Sequence, residues 1–223
     1  MLFSYAESLL DDFPELATGV LLVQGIHPNV IVAESFADLT TAAAQRIATC
    51  SEADMPEVQA WRRSFHRMGL KPTQYRCAAE ALLRRLRKEG DLPSVHPFVD
   101  LCNGTSAAFA IPVAAFDLDR VSGGLVVQRA AGIERYDTFS GTVEQPEPGE
   151  VVFVDAKGRA HSRRWTHRQS GYSAVNAQTC NALIVAEAMH ATGLSDLSRL
   201  LASLQESIHM HWPAASVRKV TPK

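Results

Sequence analysis

At Pro97 the chain changes texture, and that change narrows the folds open to it. Upstream, apolar residues recur at helical spacing. Val58, Trp61, Phe65 and Met68 form one stripe that stops at Gly69, with Pro72 just beyond; Tyr75, Ala79, Leu82 and Leu86 form another that stops at Gly90 and Pro93. These stripes predict helices over 58–68 and 74–88, the second with Arg84, Arg85, Arg87 and Lys88 in its last turns, where they complement the helix dipole. Downstream the pieces shorten. A helix over Val99–Phe109 is followed by strand-like runs at Pro112–Phe116, Gly124–Arg129, Val151–Val154 and Ser162–Trp165, with turns rich in Gly, Pro and Asp between them. Gly123-Gly124 reads as a hairpin turn, and EQPEPG at 144–149 as an exposed loop. Gly19–Ile26 reads as a buried strand and Leu39–Ile47 as a helix, while Asn181–Glu187 suits either a strand or a helix start. Ser195 is the expected cap of a closing helix to His211, with Leu197, Leu200, Leu201, Leu204 and Ile208 as its stripe. Helices early, a sheet later and a closing helix predict an α+β fold.

Length and composition set the outer bounds. A chain of 223 residues with 46% hydrophobic content can bury a substantial core. Cys50, Cys77, Cys102 and Cys180 are scattered without a CxxC pair, which argues against a zinc knuckle or a disulfide framework. His209 and His211, two apart on a helix, point to different faces and cannot chelate a metal as an i, i+4 pair could; no metal and no cofactor is the expectation. The first residues, MLFSYAESLLDDF, carry acids where a signal peptide is basic, and no apolar run has the roughly 20 residues of a membrane span. A soluble cytoplasmic protein without membrane contact is the expectation. The net charge of -2 hides an uneven distribution: residues 1–56 balance to -7 and residues 57–90 to +6. Such asymmetry marks either a surface for a polyanion or two complementary faces that meet inside one fold.

Two stretches hold the candidate chemistry. Phe98–Val121, FVDLCNGTSAAFAIPVAAFDLDRV, places small and polar residues where a ligand can approach the backbone; Asn103 and Ser106, three apart, share one side of a helix. Either orients a ligand or water, or serves as a cap or turn residue. Asp117 and Asp119 suit turn formers. The second stretch, SRRWTHRQ at 162–169, packs Arg163, Arg164, Trp165, His167, Arg168 and Gln169 together. On a strand Arg163 and Trp165 share a face. The arginines hold a phosphate or carboxylate, or pair with Glu134, Glu150 or Asp155; Trp165 packs in the core or stacks on a base. Glu134, after Gly132, is either a site carboxylate or half of a buried ion pair.

The order of VDLCNGTSAAFAIPVAAFDLDRV, AAGIE, PGEVVFVD and RRWTHRQS resembles the B3/B4 domain of the phenylalanyl-tRNA synthetase beta subunit, and more closely the free-standing proteins made of that domain alone. The resemblance covers about 61–187, with WRRSFHRMGLKPTQYRCAAEALLRRL as a signature of the free-standing group. It implies one domain over 1–223: a central, mostly antiparallel sheet flanked by helices, an N-terminal extension at 1–56 and a C-terminal helix at 195–211. It also implies binding of an aminoacylated tRNA 3′ end and proofreading in trans, since in the synthetase this domain hydrolyses wrongly attached tyrosine from its tRNA. Asn103 matches the asparagine of the synthetase stretch DVTNYV. Where the synthetase reads PxHAFD this chain reads PVAAFD, with Ala114 at the histidine position; the synthetase's pocket glutamate falls at Gln169 and its glycine pair at His167 and Arg168. Carried through, the resemblance gives Asn103, Gln169 and Glu134 catalytic roles. Ser106, Ala114, Arg163, Arg164, Trp165, His167 and Arg168 line the substrate site, with His167 a candidate base. The alternative is a non-catalytic module that binds tRNA or an amino-acid-like small molecule.

Overall fold

The computed structural model describes residues 2–222. The chain opens with a short strand β1 (Phe3–Tyr5), a short helix α1 (Glu7–Asp12) and the apolar strand β2 (Ala17–Gln24). Four helices follow: α2 (Ala33–Thr49), α3 (Pro56–Arg67), α4 (Ala78–Glu89) and α5 (Pro97–Phe109). Pro56 and Pro97 sit in first turns, where a missing N–H breaks no helical bond. α4 ends at Gly90, whose φ of 80° only glycine adopts without strain. Strands then dominate: β3 (Val113–Asp117), β4 (Leu125–Arg129), β5 (Arg135–Asp137), β6 (Val143–Glu144), β7 (Val151–Asp155), β8 (Arg159–Ala160), β9 (Ser162–Arg163), β10 (Arg168–Gln169) and β11 (Asn181–Ala188). Helix α6 (Gly193–His211) and strand β12 (Ser216–Lys219) close the chain.

The architecture is α+β, as expected, built on two main sheets and a two-stranded β9–β10 ribbon. A four-stranded sheet of order β12-β2-β11-β3 is antiparallel throughout. A six-stranded sheet of order β1-β4-β7-β8-β5-β6 contains two parallel pairs, β1 with β4 and β5 with β8. Strand β11 explains the layering. Its alternate residues Ala182, Ile184, Ala186 and Ala188 join the core under α5 and α6, whereas Leu183 and Val185 join the core shared with β1, β4, β7 and α3. Both faces are covered, so the strand reads as an unbroken apolar run, which is why its sequence suits two kinds of element. The 1–56 stretch supplies β1 to one sheet and β2 to the interior of the other.

Several local expectations are corrected. Ser195 lies inside the first turn of α6, where its hydroxyl donates back to the Thr192 carbonyl. Gly123-Gly124 joins no hairpin, because β3 and β4 belong to different sheets. The helix expected from Gln74 begins at Ala78. The charge asymmetry is resolved only in part within the fold: of the basic residues at 57–90, Arg67 pairs with Glu15, and Arg84 and Arg87 with the buried Glu52. Among the described residues, no helix is long and apolar enough to cross a membrane.

Candidate functional site

Where the two sheets meet, a cavity of about 60 Å³ opens to solvent between β3, β7, β11, the β9–β10 hairpin and the start of α4. That volume holds a few water-sized groups, so a small ligand end fits and a nucleotide base does not. The inner wall is aromatic and aliphatic, with Phe116, Phe153, Trp165 and Val185 all buried. Ala114, Thr166, His167, Arg168 and Gln169, with residues half-buried or exposed, make the outer part.

The inner end contains one ionisable group, Glu187, which is 2% exposed. Tyr5 Oη donates to its Oε1 at 2.6 Å and Trp165 Nε1 donates to the same oxygen at 2.8 Å. Oε2 receives no hydrogen bond among the described residues and is the oxygen left to the cavity. Burial pushes the carboxyl up to about 7, against the lowering effect of its two donors. The Tyr5 phenol is raised well above its ordinary value, first by burial and then by this neighbouring carboxyl.

Trp165 reaches Glu187 because the backbone reverses. Arg164 and Trp165 have φ of 50° and 59°, left-handed values that strain a residue with a side chain. The reversal is held by Arg164 N–H donating to Glu150 Oε1 at 2.8 Å and Trp165 N–H donating to the Val151 carbonyl at 2.6 Å. The indole packs edge-on against Trp61 and Phe13. Strand alternation across Ser162–Trp165 is therefore corrected: β9 has two residues, and Trp165 turns into the core.

The rim is oriented by single contacts. Gln169 Nε2 donates to the Ala115 carbonyl at 2.6 Å, which fixes the amide and leaves Oε1 as a free acceptor. His167 Nδ1 lies 2.8 Å from the Arg76 carbonyl and 3.3 Å from the Arg76 N–H. The shorter contact makes Nδ1–H the donor and leaves Nε2 with a free lone pair. Burial lowers the His167 pKa, and the nearby Arg164 and Arg168 add to the shift, so the ring is neutral at physiological pH. The Arg164 guanidinium stacks 4.4 Å from the centre of Tyr75, and exposed Arg168 has no carboxylate partner among the described residues.

Other candidates lie elsewhere. Asn103 is half-buried on α5 and does not line the cavity. Ser106 is fully buried, and its hydroxyl donates to the Ile111 carbonyl at 2.7 Å, a helix-end role. Glu134 accepts the N–H groups of Ala131, Gly132 and Ile133 and closes its own loop beside a separate concavity. Arg163 is spent on Glu150, at 2.6 and 2.9 Å, and on Glu144 at 2.8 Å, with its own side chain 5% exposed. Burial raises the Glu150 pKa and the Arg163 guanidinium outweighs it, for a net lowering. Ala114, Trp165, His167, Arg168 and Gln169 are thus brought to one cavity; Asn103, Ser106, Glu134, Arg163 and Arg164 are not among the residues that line it. A chain of Ser173 Oγ, His161 Nδ1 at 2.7 Å, and His161 Nε2 3.4 Å from Asp155 imitates a nucleophilic triad. Ser173 and His161 are fully enclosed, so no substrate reaches them and the chain braces the loop. No cluster of three metal-ligating side chains occurs among the described residues.

Comparison with known proteins places this architecture. The B3/4 domain model matches residues 60–210, well over half of the chain. The chain belongs to the B3/4 domain family. This B3/4 domain is 29% identical over 116 residues, 52% of its length, to the phenylalanine–tRNA ligase beta subunit of Yersinia pestis, of which the match spans 14%. Its fold is also that of an N-terminal fragment of the phenylalanyl-tRNA synthetase beta subunit from Pyrococcus horikoshii, with a TM-score of 0.54 at 10% identity, covering the whole of this chain and 54% of the fragment. The relationship to the synthetase beta subunit thus holds by sequence and by fold, and this B3/4 domain spans only part of the relatives it matches. The family model begins at residue 60, so β1 and β2 lie outside the matched stretch although both sheets use them.

Proposed function

We propose that this B3/4 domain receives the aminoacylated 3′ end of a tRNA at the cavity and hydrolyses the ester of a wrong amino acid. The observation that carries the reading is the rim: a neutral imidazole with Nε2 free and an amide oriented with Oε1 free, on a hairpin that also presents Arg168 to solvent. Kinship with a tRNA ligase subunit supplies the substrate class. In this reading Arg168 and Arg164 meet terminal phosphates, the aminoacyl end enters the cavity, and the ester remains at the rim. His167 Nε2 takes a proton from water as the water oxygen bonds to the ester carbon; the carbon–ribose oxygen bond breaks and the ribose oxygen takes the proton. The products are the free amino acid and uncharged tRNA. Gln169 Oε1 accepts a hydrogen bond from the attacking water or the aminoacyl group and fixes its position. The ester is already activated, so orientation supplies much of the rate.

Single-turnover deacylation tests these roles. His167→Ala and Gln169→Ala should each slow hydrolysis about 10²-fold or more, the scale of one positioned proton-transfer group, with tRNA affinity changed little. Parallel loss of affinity and rate would remove the chemical assignment. A non-catalytic binding module is the second reading, favoured by Ala114 and Gln169 at the positions where the resemblance to the synthetase domain implies a histidine and a glutamate. It predicts bound tRNA with an ester as long-lived as in buffer.

A further inference from the structure

The rim accounts for the proposed chemistry and leaves Glu187 unused. A carboxyl buried to this degree is normally paired or fully hydrogen-bonded, since an ion in low dielectric without a partner is costly. Here both protein donors, Tyr5 and Trp165, converge on Oε1 and none serves Oε2, in a cavity walled by Phe116, Phe153 and Trp165. A free carboxylate oxygen beside aromatic rings is the arrangement that a small cation completes: the oxygen supplies opposite charge, and ring faces attract an ammonium.

From this geometry we infer that Glu187 Oε2 is the counter-ion for a primary ammonium group that enters the cavity, and that the site selects ligands by that charge. This rests on the aminoacyl reading for the ligand's identity: there the cation is the α-ammonium of the aminoacyl group, and a tRNA whose amino group is acylated is refused. The other ionisable groups are Tyr5, facing Glu187 from β1, and His167 and Arg168 at the rim. Tyr5 stays neutral over the working range, and the Arg168 charge is fixed, so the response to a bound cation falls on Glu187.

Binding a cation favours ionised Glu187, so at a pH near its titration the complex should release a proton. A neutral hydrogen-bond donor would release almost none, and a carbonyl ligand would take one up. Propylammonium, which keeps its charge throughout this range, tests the cation site without ribose or ester. It should raise Tm at about pH 8 and release protons on binding at about pH 7, while propanol does neither; Glu187→Gln, which keeps an acceptor for Tyr5 and Trp165, should abolish both effects. Failure of propylammonium to act through Glu187 overturns the proposal. The second arm uses non-hydrolysable aminoacyl-adenosine amides with alanyl, seryl, valyl, phenylalanyl and tyrosyl groups, each beside its N-acetyl form. The accepted amide should bind about ten- to a hundredfold more tightly than its N-acetyl form, the scale of a charge-assisted hydrogen bond, and Glu187→Gln should erase the difference. Equal binding of an amide and its N-acetyl form, or a difference that survives Glu187→Gln, overturns the assignment of Glu187 to the α-ammonium. If propylammonium acts through Glu187 while no amide binds, the cation site stands and the aminoacyl reading falls.

Discussion

Replacing Glu187 by glutamine should stabilise the protein at alkaline pH and leave it almost unchanged in acid. The folded-state pKa is about 7, against an ordinary glutamate value of 4.5. A carboxyl whose pKa is raised on folding favours the native state most where both states are protonated, below the unfolded value. Between the two pKa values the unfolded chain releases a proton that the native chain retains, so stability falls as pH rises, and above about 7 the whole contribution is lost. The gap of roughly 2.5 units corresponds to about 3 kcal/mol, and full burial leaves little solvent to reduce it. The amide introduced by Glu187→Gln does not ionise, and its oxygen can still accept from Tyr5 and Trp165. Urea denaturation of both proteins at about pH 4.5 and about pH 8 gives the difference between them at each pH; that difference should grow by about 3 kcal/mol, or roughly 6–12 °C in Tm for a chain of this size. A difference that does not change with pH would refute the reasoning, because it would mean that Glu187 titrates normally.

Further outcomes follow from the same contacts. Arg163→Ala should cost about 3–5 kcal/mol in urea denaturation, since Glu150 would keep a buried charge without its guanidinium, and the salt dependence of tRNA binding by the folded variant should not change. Trp165→Phe removes the indole donor to Glu187 and should cost about 1–3 kcal/mol, with a larger loss at alkaline than at acid pH when measured by thermal melts. Arg168→Ala should weaken tRNA binding and lower the slope of log affinity against log salt by about one, as for loss of one phosphate contact in a salt titration. Asn103→Ala should leave deacylation within about twofold of wild type, because a side chain outside the cavity does not stabilise the transition state.

Much of the frame was legible in the sequence because amphipathic helices announce themselves. The stripes at Val58–Met68 and Leu197–Ile208 became α3 and α6, and the apolar run at Gly19–Ile26 became β2. What escaped was short or depended on tertiary contact. β1 and β12, with three and four residues, carry too little pattern to stand out from loop, and partners far along the chain define them. The hairpin at 162–169 carried the right residues with the wrong geometry: strand alternation cannot foresee two successive left-handed residues, which are held here by Glu150 and Val151. Arg163 suited either a ligand contact or an ion pair with Glu134, Glu150 or Asp155; the fold settles on Glu150 and adds Glu144, which local sequence does not place beside it. Glu187 was missed as a residue of the cavity, although one signal was present: it is the sole acid in the apolar run NALIVAEAM, and an acid inside a strand covered on both faces needs a reason.

The most direct test of the central claim is the lifetime of the ester itself. A panel of tRNAs, each charged with a wrong amino acid, is incubated with the pure protein at neutral pH, and the intact aminoacyl-tRNA remaining is followed over time. Hydrolysis as proposed predicts that at least one mischarged species decays far faster than in buffer and that His167→Ala removes the acceleration; the Glu187 assignment adds that the N-acetylated form of the same species is spared. Uncatalysed decay of every ester while tRNA remains bound would contradict it and leave a binding module in its place.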